Sequence, residues 1–303
     1  MLHGNYLYLM KAGAGFINLL REHSPGEDLP IETVRKDFSD FYLSYQDDQR
    51  PVTSIVSIRD DLQGTWITVP GCGDKGAILF FHGGGFTIGS TADHTGLCSR
   101  IASAAGMPVF GVDYRLAPES TFPAPVEDAL DSYRFLLETE YDPSHIVPVG
   151  ISAGGTLVLS MLIILRELHV RLPACAVCMS PAVNLLFEGR SVTDNIKTDW
   201  ITPRRLDSIC RTYLKGENPR NPAASPYFAD LTGLPPLLIQ AGGGELLRDD
   251  IICFVEKARD CGVDVDFEMW EGMFHCWQIF ASGISEGDEA IQKIGSYIRE
   301  YTG

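Results

Sequence analysis

The chain has 303 residues, of which 45% are hydrophobic and 21% charged, an ordinary balance for a folded globular protein that excludes disorder, collagen and coiled coil as its main character. Its 24 basic and 40 acidic side chains leave a net charge of −16 with no compensating basic stripe, so nucleic acid and anionic membranes are excluded as expected partners. Eight cysteines lie mostly in apolar runs rather than a spaced framework, which predicts buried free thiols in a reducing compartment.

Met1–Met10 carries neither a basic n-region nor a small-residue cleavage signal, so the expected location is the cytoplasm. Residues 1–45 show helical spacing, with Phe16, Leu19 and Leu20, then Val34, Phe38, Phe41 and Tyr42, on either side of a break at Ser24-Pro25-Gly26. Ile55–Ile58 and Thr65–Val69 read as paired strands. Gly71-Cys-Gly-Asp-Lys-Gly76 fits the dinucleotide pattern G-x-G-x-x-G, but a strand follows it instead of a helix, so it is expected to be a loop. Strands are predicted at Ala77–Phe81, Val109–Asp113, Ile146–Gly150, Ala174–Ser180, Leu237–Ala241 and Val263–Trp270. Helices near 93–105, 125–140, 153–169 and 248–261 separate them, and a last helix lies near 288–300.

Short, continuously apolar strands alternating with helices predict an α/β fold whose parallel sheet is covered on both faces. The last strand alternates instead, as expected near a sheet edge. Ile146–Leu165 is uncharged and about as long as a membrane span, but Pro148, Gly150, Ser152, Gly154 and Gly155 interrupt it; a strand, a sharp turn and a buried helix are expected, with no membrane span. Cys175 and Cys178 have C-x-x-C spacing within a strand, which sends the thiols to opposite faces and makes a poor chelator, so no metal site is expected. Residues 184–222 break the alternation with polar, loop-rich sequence where a lid or pocket wall would sit.

Three features carry chemistry. Gly150-Ile-Ser-Ala-Gly154 follows a strand and opens an apolar helix; its small residues permit a tight reversal that leaves Ser152 strained, with its hydroxyl exposed beside the helix's free N–H groups. His82-Gly-Gly-Gly85 follows another strand, where backbone N–H groups can approach a developing oxyanion closely; one such donor is worth about 3 kcal/mol in the transition state. His82 itself reads as a loop-positioning residue. A serine hydroxyl needs a base, and His275, in the loop after the last strand, completes the order serine, acid, histidine. Within Gly242-Gly-Gly-Glu-Leu-Leu-Arg-Asp-Asp250 the strand-end position favours Glu245 as the acid, with Asp249 and Asp250, in the first turn of a helix, as alternatives.

With these features go Asp113-Tyr-Arg-Leu-Ala-Pro-Glu119, Phe122-Pro-Ala124, Ser225-Pro226, Gly233-Leu-Pro-Pro236 and Met273-Phe-His275. Over about residues 50–300 the chain resembles the hormone-sensitive-lipase family of bacterial α/β-hydrolase carboxylesterases. The resemblance implies the α/β-hydrolase fold, a mostly parallel sheet of about eight strands, with residues 46–303 catalytic and a helical cap built from residues 1–45 and the 184–222 insertion. It implies Ser152 as nucleophile, His275 as base, and an oxyanion hole from the N–H groups of Gly83, Gly84 and Ala153. It further implies hydrolysis of short-to-medium acyl esters without a cofactor, and leaves a homodimer open. Ile151 stands where the family usually has Asp or Thr, and Glu245 where Asp is usual. The rivals are a lipase or an amidase on the same residues, or a catalytically silent small-molecule receptor. Phe16, Phe38, Leu186, Phe187 and Trp200 are the expected pocket-lining residues of the cap.

Overall fold

The computed structural model describes residues 14–23, 29–45, 51–139 and 141–303; the expected break at Ser24-Pro25-Gly26 lies outside them. In chain order the elements are α1 (Ala14–His23), α2 (Ile31–Ser44), β1 (Val52–Arg59), β2 (Leu62–Thr68), β3 (Ala77–Phe81), α3 (Thr95–Ala105), β4 (Val109–Asp113), α4 (Ala124–Glu138), β5 (Ile146–Ile151), α5 (Ala153–Glu167), β6 (Ala176–Met179), α6 (Ser191–Asp194), α7 (Pro203–Leu214), β7 (Leu237–Gly242), α8 (Arg248–Asp260), β8 (Val265–Trp270) and α9 (Ser285–Thr302). This is the α/β-hydrolase fold: eight strands in the order β1-β2-β4-β3-β5-β6-β7-β8, parallel from β4 to β8, with β1 and β2 added antiparallel at one edge.

The period of two along each strand sorts the core into two layers. Ala77, Leu79 and Phe81 of β3 face α4, α5 and α8, while Ile78 and Phe80 face α3 and α9. Cys175 and Cys178 fall into opposite layers, as the alternation requires. The predicted strand at 174–180 is shorter than expected because the Ala174 N–H goes to Pro143 O, leaving only Ala176–Met179 in the ladder. Likewise the Val263 N–H bonds to Ala258 O and closes the end of α8 before β8 begins. The 71–76 segment is a loop joining β2 to β3.

One helix pair depends on a missing side chain. At Gly295 of α9, a Cβ would lie 2.5 Å from the backbone of Ala104 in α3, so the two helices meet at van der Waals contact of their main chains. Alanine would gain about 1 kcal/mol of helix propensity there, but overpacking against backbone typically costs about 1–3 kcal/mol. Gly295→Ala is therefore expected to be net destabilising, read as a lowered urea midpoint at unchanged slope; a raised midpoint would contradict this packing.

Candidate active site

β5 ends at Ile151 and α5 starts at Ala153, so a single residue, Ser152, turns strand into helix. It holds φ 55° and ψ −120°, a conformation that L-residues rarely adopt. Its N–H is tied to Met179 O of β6 at 2.9 Å. The motif's glycines are steric requirements: a Cβ on Gly154 would collide with Phe81 O and come within 2.7 Å of His82 O, and one on Gly150 would come within 2.6 Å of the Gly155 nitrogen. The elbow and the glycine loop after β3 thus touch backbone to backbone.

That loop is held from behind. The buried His82 ring stacks on Tyr114, with centroids 4.1 Å apart and planes 12° apart, and its Nδ1–H donates to Gly83 O at 2.7 Å. Burial pushes the His82 imidazole down to about 4, so the ring is neutral. Tyr114 donates its hydroxyl to His82 O at 2.9 Å. Thr91 N donates to Asp113 at 2.7 Å, and Arg115 bonds the fully buried Asp128 through Nη2 at 2.7 Å. Glu119 takes a two-pronged pair from Arg35 of α2 at 2.9 and 2.7 Å, and the same guanidinium donates to Thr87 O at 2.9 Å. The 113–119 stretch therefore braces the glycine loop and α2 together.

Across the cleft, His275 presents Nε2 to Ser152 Oγ at 2.9 Å and Nδ1 to Glu245 Oε2 at 3.0 Å. With the Nδ1–H donating to the carboxylate, Nε2 keeps the lone pair that can accept the serine proton. The other oxygen of the buried Glu245 accepts the Gly242 N–H at 3.1 Å. Asp249 instead accepts the Ser191 N–H at 2.9 Å and Arg248 Nε at 2.8 Å, and Asp250 accepts Asn184 Nδ2 at 3.1 Å, so neither alternative acid bonds the imidazole. Burial opposes a charge on His275, while the adjoining Cys276 and Glu245 favour one, and the balance lies above the ordinary histidine value.

Gly83, Gly84, Ser152, Ala153 and His275 line one cleft. Its remaining walls are mainly apolar: Phe38 and Tyr42 from α2, Phe187, Trp200 and Ile201 from the 184–222 segment, and Leu206 and Ile209 from α7. Phe16 and Leu186 are not among them. Phe16 packs on Phe274 and Phe280 at centroid distances of 5.7 and 5.5 Å, beneath the histidine loop. Among the described residues, no group of three or more His, Cys, Asp or Glu side chains is placed to hold a metal ion, and no helix is long and apolar enough to cross a membrane.

Residues 195–200 reach the site in a way that no sequence spacing announced. Asn195 Nδ2 donates to Glu245 O at 2.9 Å, Thr198 Oγ1 to Gly244 O at 2.9 Å, and Trp200 Nε1 to His275 O at 2.8 Å. Asp199, wholly buried, accepts the N–H groups of Leu246 at 2.7 Å and His275 at 3.2 Å. Burial pushes its carboxyl up to about 6, against the pull of the His275 side chain and of those two N–H groups.

A family model described as an alpha/beta hydrolase fold matches residues 78–279. An acetyl-hydrolase of Streptomyces hygroscopicus is 41% identical over 239 residues, covering 78% of this chain and 80% of that protein. An esterase of Acinetobacter venetianus is 35% identical over 222 residues, 73% of each chain. The crystal structure of an esterase from the bacterial hormone-sensitive lipase family superposes with a TM-score of 0.92 at 41% identity and covers 100% of both chains.

Glu245→Gln removes a carboxylate that favours imidazolium, so the pH at which His275 takes up its proton is expected to fall. NMR titration of the imidazole checks this; an unchanged or higher midpoint would mean that Glu245 does not act on the ring. Asp249→Asn is expected to leave the midpoint in place.

Proposed function

This chain belongs to the hormone-sensitive-lipase family of bacterial α/β-hydrolase esterases and is a serine esterase, and from that premise we propose that Ser152, His275 and Glu245 are its nucleophile, base and orienting acid. The observation that carries the assignment is the continuous chain of contacts from Ser152 Oγ through His275 to Glu245, at 2.9 and 3.0 Å. Ser152 Oγ attacks the ester carbonyl carbon while its proton passes to His275 Nε2. Glu245 holds the ring and stabilises the imidazolium that results. The carbonyl oxygen, now an oxyanion, takes hydrogen bonds from the N–H groups of Gly83, Gly84 and Ala153. The tetrahedral intermediate collapses, its C–O bond breaks, and the alcohol leaves with the proton from His275. A water molecule, deprotonated by the same imidazole, then attacks the acyl-enzyme; the acid departs and Ser152 recovers its proton.

Residues 1–45 and 184–222 act as the cap in this proposal, supported by the cleft walls that α2, α7 and the segment before α7 supply. Substrates are short-to-medium acyl esters of small alcohols. The apolar cleft supports this, as does the relative described as an acetyl-hydrolase. The catalytic groups named are all the chain's own side chains and amides, so the reaction as proposed needs no cofactor. The edge strand β1, where Val52 and Ile55 are 72% and 70% exposed on opposite faces, offers an unpaired sheet edge for a homodimer. Eight unpaired cysteines support a reducing compartment such as the cytoplasm.

Ser152→Ala is expected to reduce hydrolysis of p-nitrophenyl butyrate by at least about 10⁴-fold; turnover near wild type would sink the assignment. Glu245→Gln is expected to lower kcat by a comparable order, while Asp249→Asn stays within a few-fold. Across a p-nitrophenyl series, kcat/KM is expected to peak between acetyl and octanoyl and fall for longer chains; a maximum beyond decanoyl would favour a lipase.

A further inference from the structure

We infer that Asp199 is a positioning residue: its carboxylate, lent by the insertion between β6 and β7, sets the spacing between the loop that carries Glu245 and the loop that carries His275. The inference rests on the reading of Ser152, His275 and Glu245 as the catalytic groups.

The two loops leave the ends of neighbouring strands, β7 and β8. Main-chain bonds do cross between them, from Gly244 N to Met273 O at 2.8 Å and from Gly243 N to Trp270 O at 2.9 Å, but these lie before Glu245 and before His275 in the chain. Beyond those points a side chain provides the link. Asp199 Oδ2 accepts the N–H of Leu246, the residue after Glu245, at 2.7 Å, and Oδ1 accepts the N–H of His275 itself at 3.2 Å. One rigid carboxylate therefore measures the gap between the acid and the base.

The adjoining residue completes the grip. Asp199 Oδ1 also accepts the N–H of Trp200 at 2.7 Å, and the Trp200 indole donates to His275 O at 2.8 Å. His275 is thus held at its N–H by Asp199 and at its carbonyl by Trp200. The 195–200 turn is in turn anchored on both sides. Asn195 and Thr198 donate to the carbonyls of Glu245 and Gly244, and Arg21 of α1 donates through Nε to Asp199 O at 3.0 Å.

A carboxylate is an expensive choice for a wholly buried spacer. Here its two oxygens accept three N–H groups, which a neutral amide could not reproduce, because its NH₂ would face a donor. Asp199 bonds the backbone of His275 and not its ring, so it does not compete with Glu245 for the imidazole.

The test is Asp199→Asn in the full-length enzyme, checked for folding by circular dichroism and assayed with p-nitrophenyl butyrate. A displacement of the base by a fraction of an ångström to about 1 Å costs up to about 100-fold in rate, so kcat is expected to fall about 10- to 100-fold with KM within threefold. Phosphonylation of Ser152 by a fluorophosphonate should slow by the same factor. A folded Asp199→Asn enzyme with wild-type kcat overturns the inference, as does a loss confined to KM. Should that variant fail to fold, Asp199→Glu keeps a carboxylate but lengthens the spacer by one methylene; a several-fold loss of kcat at unchanged KM supports the inference and an unchanged kcat overturns it. Glu245→Gln, run alongside, separates the two readings: wild-type turnover there overturns the catalytic assignment itself, whereas wild-type turnover in Asp199→Asn alone overturns only the spacer.

Discussion

The first turn of α5 lies against the carbonyl groups of Phe81 and His82 at the end of β3, an approach possible only because residue 154 has no side chain. Everything chemical in the cleft depends on that contact. It fixes the strained serine against the glycine loop at a separation that no side-chain rearrangement can alter. Strain at Ser152 persists because β3, β5 and β6 surround it with ladder hydrogen bonds on both sides. The wholly buried central strands are thus the mould in which an unfavourable backbone conformation is kept.

Around this rigid centre the other parts are attached by side chains. The glycine loop is steadied by an aromatic stack and by the 113–119 stretch, and α2 is riveted to the same stretch through Arg35. The acid and histidine loops are gripped by the 195–200 turn. Chemistry and enclosure are therefore mechanically joined: the residues that close the cleft also hold the groups that line its floor.

How much of this was legible depended on the range of the interaction. A continuous apolar run such as Ala77–Phe81 betrays a strand covered on both faces, because no position along it tolerates water. The elbow was legible because its glycines serve contacts within a few residues. Strand ends were less so: whether Ala174 or Val263 joins the ladder is decided by which carbonyl captures its N–H, a matter of tertiary arrangement. Glu245 and Asp249 could be ranked from their places before and within α8, but it took the position of Ser191, 58 residues away, to show what Asp249 bonds. Asp199 was invisible, since 76 residues separate it from His275 and nothing in its neighbourhood repeats or alternates. The apolar character of Phe16 alone points to the cleft, but the aromatic shelf of Phe274 and Phe280 claims it instead.

That shelf has a thermal consequence. Phe16, Ile17 and Leu20 of α1 pack with Met273, Phe274, Trp277 and Phe280, the residues on either side of the imidazole. A ten-residue helix is too short to persist unaided, and among the described residues Phe16, Ile17 and Leu20, at about 1.5–3 kcal/mol each, with the half-buried Leu19 beside them, anchor it by burial, well short of what melting the central sheet would require. Warming should therefore peel away this outer helix first and loosen the ground under His275 while the sheet is intact. The temperature at which such an enzyme falls silent would then lie below the one at which it unfolds, and the gap between the two would be governed by a patch of aromatic rings that never meets the substrate.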